Sequence, residues 1–247
     1  MNLRFALAMA RRELRAARRR FALYGACMAI GIGAVVALHS LGAAVRDGVE
    51  AQSQQLLGAD LRIIGRAPIE GELARDLAEL ERAHAKEPAS RVTRFGSMAL
   101  AVRSGRTRLG DLHAVEGGFP FYGAVTTEPP GAWEGLKDGG GAAVVDPSLL
   151  VQLDARVGDE LVLGEARFRI AAEVRRAPGG FGLAPEIAPR VFIARSAVAD
   201  TGLVTLGSLV EHITYLMIDR APMDAWLEAH TPELEAARLR VQTVQRY

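Results

Sequence analysis

The side chains that could perform catalysis or hold a metal are scattered along this sequence. Five histidines occur, but no H-x-x-x-H or H-E-x-x-H pair is present, so a zinc site is not expected. No G-x-S-x-G nucleophile motif occurs either. The acids Asp159 and Glu186 fall in predicted loops, where solvated carboxylates are ordinary. The histidines are His39, His84, His113, His212 and His230. We therefore expect no catalytic residue and no metal site.

The sequence also gives no indication that the chain binds nucleotides or nucleic acids. The glycine clusters at 139–141 and 179–180 lack the strand-loop-helix setting and the lysine of a phosphate-binding loop. A single cysteine, Cys27, excludes an intramolecular disulfide and a cysteine-based zinc site. The net charge of +1 gives no overall field to attract a polyanion. The sequence predicts a non-enzymatic protein with no cofactor and no nucleic-acid partner.

The strongest local signal is an uncharged apolar run near the N-terminus. Residues 21–38 contain no charge and no proline, and weakly polar residues extend the run to Arg46. About 20 such residues cross a hydrocarbon layer about 30 Å thick. We therefore predict a transmembrane helix over residues 21–45. A cleaved signal peptide and a buried soluble helix remain alternatives, although the run is long for a signal peptide and its cleavage site is poor.

Arginines crowd the segment before this run and predict its orientation. Residues 1–20 have helix-forming character, with Leu3, Leu7 and Leu14 at helical spacing. We expect a cytoplasmic basic amphipathic helix that lies on the membrane surface or contacts a cytoplasmic partner. The positive-inside rule then places residues 46–247 outside the cytoplasm. The residues expected to set topology and contact headgroups are Arg11, Arg12, Arg15, Arg18, Arg19 and Arg20.

Small residues recur every fourth position within the predicted span. Gly25, Ala29, Gly33 and Ala37 would form one stripe along the helix. Small residues let a second membrane helix approach closely, so the stripe predicts helix packing. The alternative is that glycine and alanine are simply frequent in this chain.

Residues 46–247 are predicted to form an α+β domain, as one unit or two subdomains. Strands and a few helices mix without a regular βαβ repeat, which favours α+β over a doubly wound sheet. Asp146 is the expected N-cap of a short helix that Pro147 opens. We predict helices over residues 70–86, 147–153, 223–229 and 232–239, and strands over residues 60–64, 92–102, 109–115, 142–145, 160–163, 166–170, 191–194 and 212–218.

Several segments together resemble a known family. A basic helix that ends in three arginines precedes one span, and Leu56-Leu57-Gly58-Ala59-Asp60 follows it. Later come Ala114-Val115-Glu116-Gly117-Gly118-Phe119-Pro120-Phe121-Tyr122-Gly123, Val145-Asp146-Pro147 and Val157-Gly158-Asp159-Glu160-Leu161. These segments resemble the N-terminal helix and periplasmic core domain of FtsX-like or MacB-type ABC transporter permeases, and the similarity covers nearly the whole chain.

The resemblance implies a permease subunit in a bacterial inner membrane. Such a subunit pairs with a separate cytoplasmic ABC ATPase and with other transmembrane helices or a second permease copy, and it handles amphiphilic or lipid-like substrates. Family members continue with further spans, so we expect this chain to be an N-terminal fragment of a longer permease. Two other hypotheses stay open: a stand-alone, membrane-anchored binding or scaffold protein of the envelope, and an exported enzyme with a cleaved signal peptide.

Overall fold

A computed structural model describes residues 18–137, 139, 141–177, 188–205 and 207–244. Side chains are described from Ala22 to Gly42 and again from Leu57 onward within those ranges. The chain forms two compact units, Met1–Ala51 and Gln52–Tyr247. We call the second unit the α+β domain.

A long helix, α1, runs over Arg18–Leu57. Its window Ala22–Gly42 spans 21 residues, is long and apolar enough to cross a membrane, and is not buried by the rest of the protein. This window lies inside the predicted span of residues 21–45. An uncovered apolar surface of this length is costly in water and favourable in lipid.

The two ends of the α+β domain's sequence together form a split βαβ arrangement. Strand β1 (Leu61–Gly65), helix α2 (Gly71–His84) and strand β2 (Ser90–Ala101) form one unit. Strand β9 (Val210–Leu216), helix α5 (Arg220–Ala236) and strand β10 (Arg240–Thr243) form the second. The strands pair antiparallel in the order β10-β1-β9-β2, as in ferredoxin-like folds.

The segment between β2 and β9 builds a closed ring of strands. It contains β3 (Thr107–Val115), β4 (Thr126–Glu128), α3 (Ala132–Leu136), β5 (Ala142–Val145), α4 (Pro147–Leu153), β6 (Glu160–Leu163), β7 (Ala166–Arg176), β8 (Arg190–Ala194) and a 3₁₀ helix (Arg195–Thr201). The pairings run β2-β3-β8-β5-β7-β6 and return to β2, while β4 pairs with β7. Closing a sheet in this way removes exposed strand edges.

Three apolar clusters stabilise these layers. Inside the ring, alternate residues of six strands point inward, because side chains in a strand alternate between faces. Helices α2 and α5 cover one face of the split βαβ sheet through Leu77, Leu80 and Trp226. A third cluster, which includes Phe119, Trp133, Phe192 and Tyr215, lies on other strand faces and is covered by α3 and the segment after β3.

Most of the predicted helices and strands are present, but the C-terminal elements differ from those predicted. Helix α5 continues through Pro232, where two separate helices were predicted, and strand β10 follows it. A proline removes only one backbone donor from a helix, and burial of Met223, Trp226 and Leu234 on the same helix offsets that loss. Asp146 stands at the N-cap of α4 as predicted, but its side chain makes no capping hydrogen bond. Its carboxylate instead accepts hydrogen bonds from the backbone N and the side chain of Arg190.

Candidate functional site at the helix exit

Helix α1 ends at a glycine that no other residue would replace easily. Gly58 has φ +75°, in the left-handed region that favours glycine. A Cβ at this position would lie 3.0 Å from Cε2 of Phe119. The Gly58 carbonyl also accepts a hydrogen bond of 2.9 Å from the backbone N of Phe121. The chain leaving the helix is therefore held closely against the segment after β3.

Two residues later, the carboxylate of Asp60 joins three parts of the domain. The Tyr122 hydroxyl donates to its two oxygens at 2.9 and 2.8 Å. The backbone N of Ile218, just beyond β9, donates to Oδ2 at 3.0 Å. Asp60 is only 8% exposed, so these bonds replace the water that burial removes. The carboxylate fastens the start of β1 to the end of β9 and to the segment after β3.

Aromatic packing supports this arrangement. The Phe119 and Tyr215 rings lie 4.6 Å apart, centroid to centroid. Burial and the hydrogen bond to Asp60 raise the pKa of Tyr122 far above its ordinary value. The phenol therefore stays protonated and donates to Asp60 at every physiological pH. We call Gly58, Asp60, Phe119, Tyr122 and Ile218 the helix-exit clamp.

A second polar network lies on the sheet. Arg94 Nη2 and Asp111 Oδ2 are 2.7 Å apart, and His113 Nε2 lies 3.1 Å from the same oxygen. Burial opposes ionisation of Asp111, but the hydrogen bonds from His113 and Arg94 outweigh it and lower the pKa to about 2. Glu211 joins Arg94 from β9 at 3.4 Å. A carboxylate held ionised by a fixed cation serves as a structural tie and is a poor general acid.

The structure keeps the candidate chemical residues apart. His113 contacts Asp111, whereas His230 Nδ1 lies 2.9 Å from the Trp226 carbonyl and Nε2 lies 3.3 Å from Asp76. Asp159 is paired with Arg103 at 2.8 Å, and Glu186 lies outside the described residues. Within the described ranges, no group of three or more His, Cys, Asp or Glu residues could hold a metal ion.

The predicted helix-packing and topology residues lie on α1 or before it. Gly25, Ala29, Gly33 and Ala37 fall in the apolar window, and a Cβ added at Gly25 or Gly33 would meet nothing within 4 Å. Arg18, Arg19 and Arg20 belong to the first turn of the described part of α1. Arg11, Arg12 and Arg15 lie outside the described residues.

The sequence did not predict the clamp, although two of the segments that form it carry the family resemblance. Asp60 and Tyr122 lie 62 positions apart, and no periodic pattern links them. The available signal was that Leu-Leu-Gly-Ala-Asp and the Ala114–Gly123 segment both carry the family resemblance. The structure shows that these two segments contact each other.

The described chain thus consists of an apolar helix that leads into an α+β domain through the helix-exit clamp. The family model for the MacB-like periplasmic core domain matches residues 21–231. The chain belongs to this family, which confirms the resemblance and the α+β fold class.

Individual relatives agree with this assignment. The ABC transporter permease YbbP of Escherichia coli (strain K12) is 29% identical over 188 residues, which are 74% of this chain and 21% of YbbP. The chain thus spans about a fifth of the length of this relative.

Two solved structures are also similar. The periplasmic region of MacB from Actinobacillus actinomycetemcomitans is 9% identical, with a TM-score of 0.45, and the match covers 77% of this chain and 92% of that one. The extracellular domain of the noncanonic ABC-type transporter YknZ from Gram-positive bacteria is 10% identical, with a TM-score of 0.48, covering 74% and 99%.

Proposed function

We propose that this chain is the N-terminal part of an ABC transporter permease, and that it couples a separate cytoplasmic ATPase to a domain outside the cytoplasm. The substrates in this proposal are amphiphilic or lipid-like molecules handled at the outer leaflet of a bacterial inner membrane. Family membership supports the permease class. The coupling role rests on one structural observation, the helix-exit clamp.

The clamp suits mechanical transmission because direct contacts hold the end of α1 against the sheet. The last residue of α1, Leu57, is buried. Gly58 accepts a hydrogen bond from Phe121, and Asp60 accepts hydrogen bonds from Tyr122 and Ile218. We propose that movement at the end of α1 is passed through these contacts to β1 and β9. A flexible linker at the same place would absorb the movement.

The N-terminal arginines and the small-residue stripe fit the same proposal. Arg11, Arg12, Arg15, Arg18, Arg19 and Arg20 would keep the N-terminus in the cytoplasm, beside anionic headgroups and the ATPase. The stripe of Gly25, Ala29, Gly33 and Ala37 would pack against other permease helices or a second permease copy. The side chains of this stripe are left uncovered within the described part of the chain.

Co-purification tests the ATPase partnership. The full chain, tagged after Tyr247, would be co-expressed with the ABC ATPase encoded nearest to it and extracted in mild detergent. We expect uncleaved chain, identified by its intact mass, to retain the ATPase. Leu7→Glu, on the apolar side of the basic segment, should reduce the retained ATPase at least fivefold. Ala16→Glu, on the opposite side of the same predicted helix, is the matched control and should retain it.

Each other outcome supports a different hypothesis. Full-length chain in the membrane without ATPase would contradict coupling through this segment and favour a stand-alone anchored binding or scaffold protein. A soluble chain shortened near residue 45 would show a cleaved signal peptide and overturn the anchor.

A further inference from the structure

A cleft of about 510 Å³ lies apart from the helix-exit clamp. It is bordered by the first half of β2, the end of β3, the residue after α3, the 3₁₀ helix and the first half of β9. Val115, Val198, Ala199 and Val204 give it apolar walls. A space of this size accommodates a small ligand, and neither the clamp nor the sheet core accounts for it.

Two cations line this cleft, and one of them forms an ion pair. Arg195 Nε donates to Thr93 Oγ1 at 3.4 Å, and its Nη1 donates to Glu116. Lys137 lines the same cleft, with Nζ 5.7 Å from the centre of the Trp133 ring. Among the ion pairs formed by described residues, none includes Lys137. The ammonium group of Lys137 thus has no carboxylate within ion-pair distance among the described residues, although the charge of Glu134 acts on it.

One further polar side chain in the cleft can donate a hydrogen bond to an anion. His212 lines the cleft, and burial together with the charge of Arg195 lowers its pKa. A neutral imidazole can still donate one hydrogen bond. Burial also lowers the pKa of Lys137, and Glu134 opposes that shift. An anion in contact with the Lys137 ammonium group would stabilise its charged form.

We propose that this cleft binds an amphiphilic anion whose carboxylate or phosphate lies against Lys137 and Arg195. Its short apolar chain would lie along Val115, Val198 and Val204. The choice of an amphiphile rests on the function proposed above, whereas the anionic head group follows from the charges in the cleft. The ligand is recognised by one charge and one apolar wall together.

The composition of the chain supplies a direct readout with an internal control. It contains only two lysines, Lys137 and Lys86. Lys86 forms an ion pair with Asp219 at 2.7 Å and does not line the cleft. Amine acylation of the full chain in phosphatidylcholine nanodiscs, followed by peptide mass spectrometry, reports both lysines in one sample. Any general effect of an additive would change both rates together.

Hexyl phosphate serves as the probe. We expect it to slow acylation of Lys137 at least fivefold in a saturable manner and to leave Lys86 unchanged. Hexanol and inorganic phosphate should each slow Lys137 less than twofold, because each lacks one of the two recognised features. The larger side chain of Ala199→Phe should occupy the apolar part of the cleft and abolish the protection of Lys137 by hexyl phosphate. Ala83→Phe, at an exposed position on α2, is its matched control.

Other outcomes would overturn the proposal. Equal protection by inorganic phosphate would show an anion site without an apolar part. No protection, or equal protection of both lysines, would show that the cleft does not bind this class of ligand. The measurement contains no ATPase, so its failure leaves the co-purification test of the permease function unaffected.

Discussion

Replacing Asp60 with alanine is expected to lower the free energy of unfolding of the α+β domain by about 3 kcal/mol. The substitution removes the acceptor of the Tyr122 hydroxyl and of the Ile218 backbone N, and leaves both donors without it. Buried donors that lose a charged acceptor cost more than exposed ones. Urea unfolding of the chain in nanodiscs measures the loss through tryptophan fluorescence, since Trp133 and Trp226 are both buried in this domain.

Two further variants separate the clamp from a general effect of charge. Tyr122→Phe removes one donor and should cost about half as much as Asp60→Ala. Asp224→Ala removes an exposed carboxylate that pairs with Arg220 within one helix, and it should cost less than about 0.5 kcal/mol. Equal losses for Asp60→Ala and Asp224→Ala would contradict the structural role of the clamp.

Gly164→Ala is expected to lower the stability of the domain by about 4 kcal/mol. Gly164 lies in the β6-β7 turn with φ +61°, and an added Cβ would lie 2.0 Å from the Thr201 carbonyl oxygen. The same oxygen accepts a hydrogen bond from the backbone N of Glu165 at 2.9 Å. The methyl group would therefore separate the hairpin from the end of the 3₁₀ helix. The same urea experiment measures the effect.

Gly105→Ala is a closely matched control. Gly105 lies in the β2-β3 turn with φ +65°, and an added Cβ would meet nothing within 4 Å. The two glycines share a backbone conformation and differ in the space around them. We expect Gly105→Ala to cost about 1 kcal/mol, the cost of the left-handed conformation alone. Similar losses at both positions would show that the contact with Thr201 is unimportant.

Local patterns were enough to predict many elements of the fold. The apolar run predicted a helix over residues 21–45, which is the part of α1 that contains the candidate span, because a long uncharged run is itself the signal. The predicted helix over residues 70–86 is α2, and the predicted strands over residues 92–102, 109–115 and 160–163 are β2, β3 and β6. The strand at Ala142–Val145 was predicted with the bounds that the structure shows.

The features that were missed depend on contacts distant in the sequence. Strand β10 is short, and its residues Arg240–Thr243 become a strand by pairing with β1, about 180 positions earlier. Closure of the ring depends on β6 pairing with both β2 and β7, which no local pattern specifies. Asp146 has the sequence position of a helix cap, yet Arg190 competes successfully for its carboxylate. The clamp is missed for the same reason.

Thiol accessibility in cells tests most directly the central claim, that one span holds the α+β domain outside the cytoplasm. Cys27 would be replaced by alanine, and a single cysteine introduced as Glu87→Cys, at an exposed site in the domain, or as Ala8→Cys, before the span. Spheroplasts would be treated with a membrane-impermeant maleimide. We predict that Glu87→Cys is labelled in intact spheroplasts and that Ala8→Cys is labelled only after lysis. Labelling of Ala8→Cys in intact spheroplasts, with Glu87→Cys protected until lysis, would contradict the account.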